Sequence, residues 1–391
     1  MHASELHHAA NTLRRHLESP KVSVLNHIND LMAEVRQCIG KRRIIYLDTR
    51  YWVFLRDAHL GRAKKPEHER ILSLLRDCVA SGAAICPMSD VAFMELTTQT
   101  DDETRAATAA LWDALSLGVA LQSEPDRVRT ELEHFFSHPN AEDAPRPLHD
   151  IVWVKACFVL GAIVPDNDKV SAELNRAVQK SCIDTLWSMS FAEMAKSSAA
   201  DLAAKEKFER TAAQINVDMR RFQHKVPSFE KTFLAEISGA LSANKKSVSQ
   251  VVADLYGKQG YSLDGVTAEQ LQAFQTKMLN VLVNAFRYAR QKMAHRLPSL
   301  YLHALCHAAI RMDIKRKLNG NFLRDLHHGT AGVAYHDAVF TERPLRVLLT
   351  AGNVAADKTF DCRIMFDESD VLQYLKSLSV DCPNRSAAPG L

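Results

Sequence analysis

Paired cysteines, long apolar runs and a strong charge of either sign are all missing from this chain, and each absence narrows what it can be. The eight cysteines, Cys38, Cys78, Cys86, Cys157, Cys182, Cys306, Cys362 and Cys382, include no CxxC pair. Most stand in apolar surroundings, as buried thiols do, so neither a cysteine-based zinc site nor a disulfide framework is indicated. No stretch of about 18 consecutive apolar residues occurs, which argues against a membrane span and a membrane partner. Residues 1–22 have amphipathic helical spacing without the apolar centre of a secretory signal, so a cytoplasmic location is expected. A net charge of +3 permits nucleic-acid binding without arguing for it, and any positive field must come from local patches. No internal repeat or low-complexity tract is seen.

What is present is an ordinary globular composition, 47% hydrophobic and 24% charged over 391 residues, enough core for two or three domains. The organising stretch is Arg43 to Asp57. Ile44, Ile45, Tyr46 and Leu47 follow the basic cluster Lys41, Arg42 and Arg43 and read as a strand buried on both faces. Asp48 and Thr49 end it and a helix follows. An acid at the carboxyl end of a central parallel strand stands where open α/β sheets place their ligands, and metal binding is one reason for it to be there.

The rest of the chain supplies the partners of that strand. Residues 83–87 and 118–121 read as further strands, separated by helices over 67–81, 91–96 and 102–115. Residues 124–316 lose the strand signal, and 126–136, 151–164, 170–198, 202–222, 229–241, 268–292 and 298–317 all fit amphipathic helices. Strand character returns at 338–341 and 364–366, around a helix at 345–350 and before a closing helix at 368–378. The expected organisation is therefore a helical cap (1–40), the first half of an α/β domain (41–122), a helical insertion (123–318), the second half (319–378) and a flexible tail (379–391).

Acids stand at strand ends or on helices just beyond them at Asp48, Glu95, and the group Asp325, Asp337 and Glu342. If the sheet closes, they converge on one edge. Carboxylates gathered without cations repel one another and raise some of their pKa values, a penalty that Mg²⁺ or Mn²⁺ removes by taking carboxylate oxygens and waters.

Four pieces of the chain resemble the PIN and PIN-like nuclease superfamily: Ile44 to Thr49, Pro87-Met88-Ser89 with Glu95 beyond it, Asn321 to His328 with its central Asp325, and Tyr335 to Arg343. The resemblance covers roughly 41–122 and 319–378, and the long helical block departs from the pattern. It implies a three-layer α/β/α parallel sheet, a cluster of three or four acids binding Mg²⁺ or Mn²⁺, and hydrolysis of phosphodiester bonds, more often in single-stranded RNA than in DNA. Asp48 resembles the first-strand acid, Glu95 the acid of the helix after the second strand, and Asp325 the mid-sequence helical acid. Asp337 and Glu342 compete for the last position, Asp337 as the favoured ligand and Glu342 as an outer or alternate one. Thr49 and Ser89 would orient carboxylates or water, and Arg343 would steady charge. The resemblance also implies an endoribonuclease of toxin or defence-effector type, with the helical insertion holding a protein partner or a second copy.

Two other readings stand beside it. One is a binding or scaffold protein with the same fold and no working metal site. The other is a metal-free HEPN-type ribonuclease, since Arg290 and His295 match its loose Arg-x4-His spacing. The adjacent His327 and His328 cannot both face one metal from a helix and are expected to flank Asp325 or meet solvent. Arg14-Arg15, Arg42-Arg43, Arg220-Arg221, Lys245-Lys246 and Lys315-Arg316-Lys317 are candidate phosphate contacts.

Overall fold

Strand β1 (Arg43–Leu47) is buried from Ile44 to Leu47, as an uninterrupted apolar run must be when both faces of a strand are covered. The computed structural model that contains it describes residues 3–161, 164–167, 169–197, 202–222, 228–258, 260, 266–313 and 316–380. The tail expected to be flexible lies almost wholly outside them. Two helices, α1 (Ala3–Glu18) and α2 (Val24–Ile39), precede β1. After it come α3 (Thr49–His59) and α4 (Pro66–Ala80), the latter opened by a proline whose fixed φ and missing N–H suit a first turn. Gly82, at φ +78°, turns the chain into β2 (Ala84–Ile85). Helices α5 (Asp90–Thr97) and α6 (Asp102–Ser116) then lead to β3 (Val119–Leu121).

The helical block begins with α7 (Glu124–Ser137). The helix expected over 151–164 does not form. Trp153–Lys155 is instead β4, antiparallel to β3, followed by a single tight turn at Ala156–Phe158. An apolar run of that length satisfies either structure, and the open edge of β3 decides for the strand. The remaining helices are α8 (Ala172–Trp187), α9 (Phe191–Ser197), α10 (Leu202–Phe222), α11 (Phe229–Ala243), α12 (Lys245–Lys258), α13 (Ala268–Tyr288), α14 (Arg290–Arg296) and α15 (Pro298–Met312). The single helix expected over 170–198 is broken because the Asp113 carboxylate accepts the Phe191 and Ala192 amides at 2.8 and 3.0 Å, capping α9 from α6. One continuous set of buried apolar side chains joins this block to the sheet.

Then follow α16 (Gly320–Val333), β5 (Ala338–Phe340), α17 (Arg343–Thr350), α18 (Ala356–Phe360), β6 (Arg363–Met365) and α19 (Glu368–Val380). The fold is thus mixed α/β, mostly helical around a small parallel sheet of order β2-β1-β5-β6. Tyr46 pairs with Val339 and Leu47 with Phe340, and a parallel bridge from Met88 to Ala120 ties β3 alongside. Because β1 pairs with β2 on one side and with β5 on the other, its carboxyl end is the switch point of the topology, where open α/β sheets place their ligands. The seven cysteines among the described residues are all free. None of the described helices is long and apolar enough to cross a membrane.

Candidate functional site

Asp48 leaves β1 at this carboxyl end and caps α3, its Oδ1 accepting the Tyr51 amide at 3.2 Å. Its side chain is buried. Burial pushes the carboxyl up to about 6; His328, the Thr341 hydroxyl and the Tyr51 amide act against this, and Glu342 adds to it. The strand register accounts for these neighbours. With Leu47 opposite Phe340, the next residues of β5, Thr341 and Glu342, emerge beside Asp48 and Thr49.

Helices α5 and α16 bring the other groups. Asp325 and His328 lie three residues apart on α16 and so share a face. His328 Nε2 is 3.0 Å from Glu95 Oε2 and 3.1 Å from Thr49 Oγ1, and its Nδ1 is 2.6 Å from the Tyr46 hydroxyl, which also meets Ser89 Oγ at 3.0 Å. Thr49 donates to Glu95 as well, and Arg324 Nη1 lies 2.9 Å from Glu95 Oε1. Burial alone would raise Glu95, but His328, Thr49 and Arg324 more than offset it and hold the group below the usual carboxylate range. Burial likewise works against a charged His328, yet its bond to Glu95 and the charges of Glu95, Asp48 and Asp325 raise it. An imidazolium there donates from both nitrogens, to Glu95 and to Tyr46. Asp325 is pushed up to about 6, chiefly by burial, with His328 opposing and Glu342, Asp48 and Glu95 adding to it.

Of the acids expected from sequence, Asp48, Glu95, Asp325 and Glu342 therefore meet at one edge. Asp337 does not join them, and its choice over Glu342 is corrected. Its amide donates to Ile44 O at 2.8 Å and its carboxylate accepts from Arg43 Nη1 at 2.8 Å and from the Ile44 amide at 2.7 Å. Those partners stand at the amino end of β1, and in parallel strands a residue before one strand is at the opposite edge from a residue after its neighbour. Ser89 caps α5 through the Ala92 amide at 3.2 Å, whereas Arg343 is exposed at the first turn of α17.

Sequence reasoning missed Tyr46, Arg324 and Thr341, and left His328 undecided. The signal for His328 was its spacing from Asp325 on one helix. His327 turns elsewhere, its Nδ1 lying 3.0 Å from Glu124 Oε2 at the start of α7. Burial would raise Glu124, but His327, His303 and Arg127 more than offset it and bring it to about 2. His303 and His307 stack beside it with ring centres 4.3 Å apart. The HEPN-type pair is otherwise engaged: Arg290 binds Glu230 at 2.8 Å and lies 4.3 Å over the Phe233 ring, while His295 packs on Phe360.

No family model, curated protein or solved structure matches this chain.

The chemistry of the edge must accordingly be argued from its own groups. Four carboxylates face two basic groups, Arg324 and His328, and burial first, with carboxylate neighbours adding to it, raises Asp48 and Asp325. An all-oxygen donor set of this kind fits a hard divalent cation. Among the described residues these acids are not drawn into mutual ligand contact; the trio with ligand atoms within 4.8 Å of one another is His16, His27 and Asp184, at a different place.

Proposed function

We propose that this chain is a metal-dependent nuclease of PIN-like type, with a three-layer α/β/α arrangement about its sheet, acting on single-stranded RNA. The observation that carries the proposal is the meeting of Asp48, Glu95, Asp325 and Glu342, from four separate segments, at the carboxyl end of the central strand, with two of them pushed up to about 6. These four would hold the ion. Bound there, Mg²⁺ or Mn²⁺ supplies the Lewis acidity that phosphodiester hydrolysis needs. His328 and Thr49 fix the orientation of Glu95, Tyr46 fixes the ring of His328, and Arg324, paired with Glu95, would steady charge on a phosphoryl oxygen. The helical block would shape access to the edge or hold a protein partner; a toxin or defence role belongs to the same reading.

The test is cleavage of labelled single-stranded RNA and DNA by the purified full chain. Cleavage that needs Mn²⁺ or Mg²⁺, stops in EDTA, disappears in Asp48→Asn and Asp325→Asn and survives His295→Ala supports the proposal. Cleavage that persists in EDTA and disappears on His295→Ala refutes it. A binding or scaffold role without metal is the competing reading, favoured by the Arg324 and His328 pairs that already satisfy Glu95. Isothermal titration showing no Mn²⁺ binding would select it.

A further inference from the structure

The two N-terminal helices meet α8 through a polar cluster that the acid edge does not use. His16 Nε2 of α1 lies 2.8 Å from Asp184 Oδ2, and His27 Nε2 of α2 lies 2.7 Å from Asp184 Oδ1. The two imidazoles stand edge to face with centres 4.7 Å apart, and the ligand atoms of all three residues lie within 4.8 Å of one another. We propose that His16, His27 and Asp184 form a site for a transition-metal dication such as Zn²⁺, which staples α1 and α2 onto α8.

Several observations converge on that assignment. Three side chains from three helices bring one nitrogen or oxygen each to within 4.8 Å of one another, each imidazole Nε2 resting on one of the two Asp184 oxygens. Two imidazole nitrogens and one carboxylate oxygen form a borderline donor set, suited to Zn²⁺ and its neighbours and distinct from the all-carboxylate set at the sheet edge. His16 is buried, so a ligand bond there is shielded from water. Lys180, one turn before Asp184, turns its ammonium away to the Ser19 and Val22 carbonyls, both at 3.1 Å. Arg15 also touches Asp184, from a side chain that is 64% exposed. Its guanidinium is already largely in solvent, so it can leave Asp184 at little desolvation cost, although Asp184 itself is nearly buried. Beside the contacts to Asp184 and Lys180, α1 is joined to α8 by Thr12–Ser181 at 2.6 Å and α2 by Glu34–Trp187 at 3.0 Å.

The experiment uses Zn²⁺ itself on the full chain in excess Mg²⁺, so that the acid edge is occupied. Because the chain has 17 histidines, the readout is the difference between proteins, taken by competition with a chromophoric chelator. Wild type is expected to hold one more tight equivalent of Zn²⁺ than His16→Ala/His27→Ala, and Asp184→Asn to weaken that equivalent by at least about tenfold, the loss that even an outer partner of a metal ligand produces. Arg15→Ala is expected to bind as tightly as wild type or more tightly, an outcome a purely salt-bridged cluster does not produce. Zn²⁺ should raise the melting temperature of wild type and not of the double variant. If the double variant does not fold, His27→Ala alone carries the comparison. Equal tight stoichiometry in all proteins, or weaker binding by Arg15→Ala, overturns the assignment. The site is independent of the nuclease reading, since Asp48→Asn/Asp325→Asn should keep its Zn²⁺ equivalent.

Discussion

Asp48→Asn in the absence of divalent ions should make the protein more stable, not less. Folded, the Asp48 carboxyl is pushed up to about 6 from an ordinary 3.8. At about 1.4 kcal/mol per unit, that gap makes the ionised side chain about 3 kcal/mol more costly in the folded state than in the unfolded chain. Asn caps a helix as well as Asp does and can still accept the Tyr51 amide, but it gives up about 0.3–1 kcal/mol of attraction to the start of α3. The net expectation is about 2 kcal/mol of stabilisation at pH 8 in EDTA. Because the folded pKa is raised, the wild type is penalised above it and relieved below it. The advantage of the variant should be full above pH 6, shrink as pH falls from about 6 to about 4, and vanish once both states carry the proton. Thermal and urea unfolding across that range measure it. Adding Mn²⁺ should reverse the order, raising the wild type and leaving the variant unmoved. A variant that melts below wild type at pH 8 in EDTA would refute the reasoning, because the Asp48 charge would then be stabilised by the fold on its own.

Two further outcomes follow from the placement of the remaining groups. Asp337→Asn loses a partly exposed pair with Arg43, costing about 0.5–1 kcal/mol, and should keep the Mn²⁺ response, whereas Glu342→Gln should weaken Mn²⁺ binding by at least about tenfold; titration calorimetry of both variants checks this. Gly332→Ala places a Cβ 2.9 Å from Tyr46 Cγ and 3.1 Å from Val339 Cγ2, so the Tyr46 ring that orients His328 must shift. The melting transition should fall by about 1–3 kcal/mol, and cleavage in saturating Mn²⁺ should slow with it; an unchanged melt would show that the ring yields freely.

The parts of this architecture that were legible in the chain are those set by neighbouring residues. Ile44 to Leu47 could only be a covered strand, and Ser89 stood where a helix cap belongs. The helix expected over 151–164 does not form because that apolar run has no period of its own, and the edge of β3, distant along the chain but next to it in space, chose the strand. His328 was ambiguous for a related reason: its helical spacing placed it on the face of Asp325, but not the Tyr46 hydroxyl on one nitrogen and the Glu95 carboxylate on the other.

The amino-acid order by itself determined the strands of the parallel sheet, several helix caps and the set of acids standing near strand ends, since hydrophobic period and capping chemistry act over a few residues; β4 it did not determine. Only the tertiary structure decided which acids share an edge. The hydrogen bonds that set Tyr46 against Val339 join distant segments, and the parallel sense of that pairing sends Glu342 to Asp48 and Asp337 to Arg43.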